Sequence, residues 1–184
     1  MENFYEQLLQ RSNTVKNRIE EDIKNLDQSK LNWKESEKKW SVLEVIDHLN
    51  KVYDKYLDNF KKTINSAPQL NGETQKKQWT LLGRLSIYSM KPKGQKRRFK
   101  MKTFDFFQPN GESPKNQIIE EFLEKKERFN SLIRDARLKN LSDLKMPTAL
   151  GEKAKFFVPE CFDFIMSHEE RHMVQIEDVF RKMN

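Results

Sequence analysis

The chain contains three histidines, and two of them stand four apart in His168-Glu169-Glu170-Arg171-His172. On a helix, residues four apart lie one above the other on the same face. Imidazoles placed that way can direct nitrogen lone pairs at one cation and leave further coordination positions open. The third, His48, lies in a second strongly helical segment, Val42 to Ile64. His48, His168 and His172 are therefore the expected ligands of one divalent metal. Three neutral imidazoles suit Zn²⁺, Ni²⁺ or Fe²⁺. An open position can bind water and lower its pKa, or bind a thiol and hold it as the reactive thiolate. One such site serves either a hydrolase or a thiol transferase.

The same five residues also match H-E-x-x-H, the metalloprotease helix whose Glu is the general base. A five-residue match is weak by itself. Such sites usually take a third ligand from downstream, yet only 12 residues follow His172, and none is His. Glu177 and Asp178 continue the same helix and cannot turn back. The third histidine must come from upstream, which again selects His48. Glu169 is the weak candidate for a catalytic base; one residue past His168 is about 100° around the helix, which turns it aside. Gln175 reads either as a partner orienting a metal-bound imidazole or as a plain polar helix position. Glu44, one turn before His48, serves a helix cap, and Asp47 is solvated. Cys161 is two turns before His168, about 10 Å along the axis, too far for a fourth ligand; burial is the expected role.

Two long helices must carry these groups, and the sequence provides for four. Phe4, Leu8, Val15, Ile19, Ile23 and Leu26 recur at helical spacing over about 3–26. Ser41 and Glu44 form a capping box for the second helix, with Trp40 placed to staple against Val45. That helix carries Val45, Leu49, Val52, Tyr56, Phe60 and Ile64 inward, and Ser66-Ala67-Pro68 ends it. Residues 69–111 are irregular, with a short helix expected near Trp79 to Leu82. The Phe residues at 104, 106 and 107 are expected to pack on the helices. Ser113 as N-cap and Pro114 at the first helical position open the third helix, which runs to about Leu138. A connection through Pro147 and Gly151 leads to the last helix, about 157–183, with Pro159 near its start. The expected fold is all-α: a four-helix bundle, one domain over 1–184, with a long crossover between the second and third helices.

Composition agrees. Charged residues are 34% and hydrophobic ones 36%, but 13 Phe, four Tyr and three Trp supply large surfaces to bury, which argues against disorder. One cysteine excludes an internal disulfide and suits a reducing cytoplasm. The polar Met1 to Glu6 is no signal peptide, and no apolar run suffices for a membrane span.

Trp40-Ser41-x-x-Glu44-x-x-x-His48-Leu49 followed by His168-Glu169-x-Arg171-His172-x-x-Gln175-Ile176 resembles the DinB/YfiT-like family, over nearly the whole chain. The resemblance implies a four-helix bundle with a divalent metal on three histidines, matching His48, His168 and His172. Characterised members include S-transferases that use bacillithiol or related small thiols and a mycothiol-dependent isomerase; others are labelled metal-dependent hydrolases.

The run from Lys91 to Lys102 holds seven basic residues and lies outside that pattern. With the net charge of +7 it favours anionic partners. A solvated loop, capture of an anionic small-molecule thiol, and nucleic-acid contact through 91–102 are the three readings. A non-catalytic metal- or nucleic-acid-binding bundle is the reading from outside the enzymes. The sequence leaves monomer and homodimer open.

Overall fold

The computed structural model describes residues 2–71, 78–109, 114–149 and 151–183. Its six helices are α1 (Glu2–Asn17), α2 (Gln28–Asn32), α3 (Val42–Ser66), α4 (Leu81–Met90), α5 (Lys115–Arg137) and α6 (Val158–Met183). A hairpin of β1 (Lys145–Thr148) and β2 (Gly151–Phe157) precedes α6. The long helices pack in a ring: α1 against α5 and α6, and α3 against the same two. The all-α bundle is thus present, and α3 and α6, which carry the histidines, are neighbours.

Each long helix follows its apolar period. In α1, Phe4, Leu8 and Val15 are buried, and the stripe continues through Ile19 and Ile23. The α geometry stops at Asn17, short of the expected 26. Arg18–Ile23 form a wider π turn, with the Lys24 N–H donating to the Ile19 carbonyl five residues back at 2.8 Å. α3 opens on the capping box: Ser41 Oγ accepts from the Glu44 N–H at 3.2 Å, and the Glu44 carboxylate accepts from the Ser41 N–H at 2.8 Å. In the centre, the Phe60 and Phe162 rings stack at 4.1 Å, with Phe129 and Tyr53 beside them. Burying a ring such as Phe60 contributes about 1.5–3 kcal/mol.

Pro114 stands one position earlier than expected. Its backbone is extended, and its carbonyl accepts the first intrahelical bond from the Ile118 N–H at 3.2 Å, so it is the cap of α5 rather than its first residue. The Ser113 cap lies outside the described residues. The hairpin was not expected. Met146 pairs with Phe156, both buried, and the Ala149 N–H donates to Tyr56 Oη at 2.9 Å, docking the hairpin on α3. Gly151, at φ +114°, starts β2 in a conformation closed to other residues. Pro159 falls in the first turn of α6, where its missing N–H has no partner to lose.

The crossover from α3 to α5 carries α4 from Leu81, two residues past Trp79, where the short helix was expected. Thr80 caps it, accepting from the Gly83 N–H at 2.9 Å. The buried Glu160 carboxylate accepts from the Thr80 N–H at 2.5 Å and the Phe157 N–H at 3.1 Å, joining α4 to the start of α6. Of the three Phe residues expected to pack, only Phe107 is buried; Phe104 and Phe106 are half exposed and stack on each other at 5.5 Å. Among the described residues no helix is long and apolar enough to cross a membrane.

Candidate metal centre

α3 presents His48 from its buried face, and α6 presents His168 and His172 one turn apart. Their rings meet where the two helices are neighbours. His48 Nε2 lies 3.3 Å from His168 Nε2, and His172 Nε2 lies 3.1 Å from the same atom. The three residues offer nitrogens all within 4.8 Å of one another. Ligands about 2.0–2.1 Å from a tetrahedral zinc stand roughly 3.3 Å apart, so the donor set matches the spacing such a cation requires.

The far side of two rings fixes which nitrogen faces inward. His48 Nδ1 is 2.9 Å from the Phe107 carbonyl, which can only accept, so Nδ1 carries the proton. His172 Nδ1 sits 3.1 Å from Gln175 Oε1 and donates to it. Both Nε2 atoms therefore aim lone pairs at the common point. His168 Nδ1 is buried with no hydrogen-bond partner among the described residues. Its ring lies nearly parallel to Phe164.

Burial holds all three imidazoles in the neutral, ligating form. It lowers the pKa of His48 and pushes those of His168 and His172 well below the ordinary histidine value, with the neighbouring imidazoles adding to both. Three neutral rings crowding their nitrogens together, with no carboxylate among the converging atoms, suit a cation better than one another.

The cluster forms part of the wall of a cavity of about 920 Å³. Trp40, Tyr56, Phe156 and Phe164 give that wall apolar surface. Trp40, expected to staple against Val45, lays its ring against His48 at 5.1 Å and nearly parallel to His172 at 6.3 Å. Sequence reasoning missed that role, and also missed the Phe107 carbonyl, which reaches His48 from the crossover 59 residues away. Gln175 takes the orienting position of its two readings. Its signal was legible: three residues past His172, it is one turn along the same face.

Glu169 is directed elsewhere. Its carboxylate accepts from Tyr53 Oη and pairs with Lys126 Nζ, and all three side chains are buried. That places the weak candidate for a base inside the bundle core, held by α3 and α5. Cys161 is buried, and burial raises its thiol pKa, so it is packing rather than a nucleophile. Glu44 serves the cap as expected, while Asp47 is largely covered and pairs loosely with Lys51 at 3.9 Å.

The basic run is not simply a solvated loop. Lys96, Arg97, Lys100 and Lys102 line the cavity, joined by Lys38 and Arg181 from other elements. Arg97 pairs with Asp178 of α6 at 3.7 Å, and Arg98 lies over the Tyr88 ring of α4 at 4.4 Å. The segment is thus a strap, tied at both sides, that brings positive charge to the mouth of the histidine cavity.

A family model of the DinB superfamily matches residues 13–176, and the chain belongs to that superfamily. No curated protein and no solved structure matches the chain.

Proposed function

We propose that this member of the DinB superfamily holds a divalent metal (Zn²⁺, Ni²⁺ or Fe²⁺) on His48, His168 and His172, and transfers a small anionic thiol to an electrophile. The whole chain acts as one domain around that centre. One observation carries the reading: three imidazole Nε2 atoms converge on the wall of a cavity large enough for a small molecule and rimmed by cations.

Bound there, the metal supplies the positive charge that keeps a thiol deprotonated and nucleophilic near neutral pH. The chain's own groups do the rest. Phe107 and Gln175 hold His48 and His172 in the tautomer and orientation that face the cavity. Trp40 and Phe164 cover the imidazoles with apolar surface and limit water, which would otherwise compete with the thiol. Lys96, Lys100 and Lys102 raise the local concentration of an anionic substrate.

The test is thiol consumption. Chelated protein mixed with bacillithiol and an alkylating electrophile should show only the background rate, and added Zn²⁺ or Ni²⁺ should restore turnover. Metal-loaded protein that ignores several thiols but cleaves esters or amides would make it a hydrolase. Salt-dependent binding of duplex DNA, without turnover of either kind, would make the bundle a non-catalytic module.

A further inference from the structure

Arg171 precedes His172 on α6, and its side chain is almost wholly buried, with the residue 6% exposed. Its Nη2 donates to the Phe99 carbonyl of the basic strap. Its Nη1 is closed off from solvent and has no hydrogen-bond partner among the described residues. No carboxylate among them forms an ion pair with it. The residue nevertheless lines the histidine cavity.

A buried guanidinium with neither counter-charge nor a full set of acceptors is strongly disfavoured. Holding the strap through one carbonyl does not account for it, because that contact uses one donor of five. Arg97 lines the same cavity. Arg97 is itself offset by Asp178 at 3.7 Å. Asp178 is shared with Arg181 at 3.1 Å, so it leaves no carboxylate over for Arg171. A planar fork suits a planar two-oxygen acceptor such as a carboxylate.

We propose that Arg171 is the anchor for a carboxylate group of the molecule that occupies the cavity. The carboxylate pairs with the guanidinium where it lines the cavity and supplies the missing counter-charge. Arg97 lines the same cavity, and the exposed Lys100 and Lys102 attract the anion without binding it specifically. Arg171 and the histidines line one wall, so the ligand spans from its anionic end to its reacting end across that cavity. This deepens the proposed function but rests on it only for the identity of the reacting end.

The probe is sodium acetate, with sodium chloride and sodium phosphate at matched ionic strength, and the readout is the melting temperature of the full chain. The measurement is repeated after metal is removed with phenanthroline, a neutral chelator that brings no carboxylate of its own. Acetate is expected to raise the melting temperature saturably, with or without metal, while chloride does not. Arg171→Gln should weaken the acetate response roughly tenfold or more, as for one hydrogen bond to a charged group. Arg171→Lys, which keeps the charge but loses the fork, should keep a weaker response. An equal response to chloride, a stronger one to phosphate, or an undiminished one in Arg171→Gln each overturns the carboxylate anchor. So does an acetate response that vanishes with the metal, because the anion was then bound to the ion. If the variants do not fold, the wild-type comparison of acetate, chloride and phosphate still decides. Loss of bound metal in the histidine variants bears on the metal centre alone, so the two readings fail separately.

Discussion

Two polar clusters are buried on adjacent residues of α6, and they are built in opposite ways. Around Glu169 every charge is answered from within: Lys126 from α5 and Tyr53 from α3 both reach its carboxylate. Around His168, Arg171 and His172 the chain stops short. Three imidazole nitrogens face one another, His168 Nδ1 has no partner among the described residues, and Arg171 Nη1 has none either. Both clusters are buried, so satisfaction is the difference between them. The closed cluster is a structural tie between three helices. The open one faces a cavity, where the proposed ligands would complete the bonding.

That contrast breaks most visibly at Lys126. Burial already lowers its pKa, and the ion pair with Glu169 is the main influence that opposes this. Lys126→Ala leaves the Glu169 carboxylate buried and unpaired, at an expected loss of about 3–5 kcal/mol in urea unfolding. The fraction that remains folded should bind metal as the parent does. A Lys126→Ala protein that unfolds normally but has lost its metal would reverse the assignment of the two clusters.

Acidity probes the open cluster. The folded imidazoles have pKa values below the ordinary 6.5, lowered chiefly by burial. Between the folded and unfolded values the unfolded chain binds more protons, so stability is full above about 6.5 and falls as the pH drops through that window. Protons also compete with metal for the same nitrogens. Because burial holds the folded imidazoles well below their ordinary value, metal retained at about pH 7.5 should still be held as the pH falls through about 6.5 and be released only further down, with the metal-dependent rise in melting temperature disappearing in step. Release centred at about pH 6.5 would mean that exposed, unperturbed histidines rather than this buried set hold the ion.

A smaller effect is expected one turn beyond. Gln175→Ala removes the acceptor on His172 Nδ1 but no ligand. Metal affinity should fall about 10–100-fold with the fold intact, as competition with a calibrated chelator would reveal. Unchanged affinity would reduce Gln175 to a surface amide.

Much of this was legible in the sequence because it is local. The i, i+4 pair of His168 and His172, the Ser41–Glu44 capping box and the apolar stripes of the four long helices all depend on residues within a few positions. The hairpin left a weaker trace: Lys153-Ala154-Lys155-Phe156 alternates as a strand does, but Pro147 and the short length hid it. What depends on tertiary contact left none. Lys126 and Glu169 look like solvent-facing charges on amphipathic helices until α5 and α6 are placed side by side. The same holds for the Phe107 carbonyl on His48, and for the open Nη1 of Arg171. The role of the basic strap likewise follows only from where its middle is tied, Arg97 to Asp178 and Arg98 to the Tyr88 ring.

The most direct measurement is metal bound per chain, by elemental analysis, in the wild type and in His48→Ala, His168→Ala and His172→Ala. His48 stands 120 residues from His168 in the chain, yet their Nε2 atoms are 3.3 Å apart. The expected result is close to one equivalent in the wild type and a severe loss in each variant, with His48→Ala as damaging as His172→Ala. A His48→Ala protein that keeps a full, tightly held equivalent would contradict the three-histidine centre.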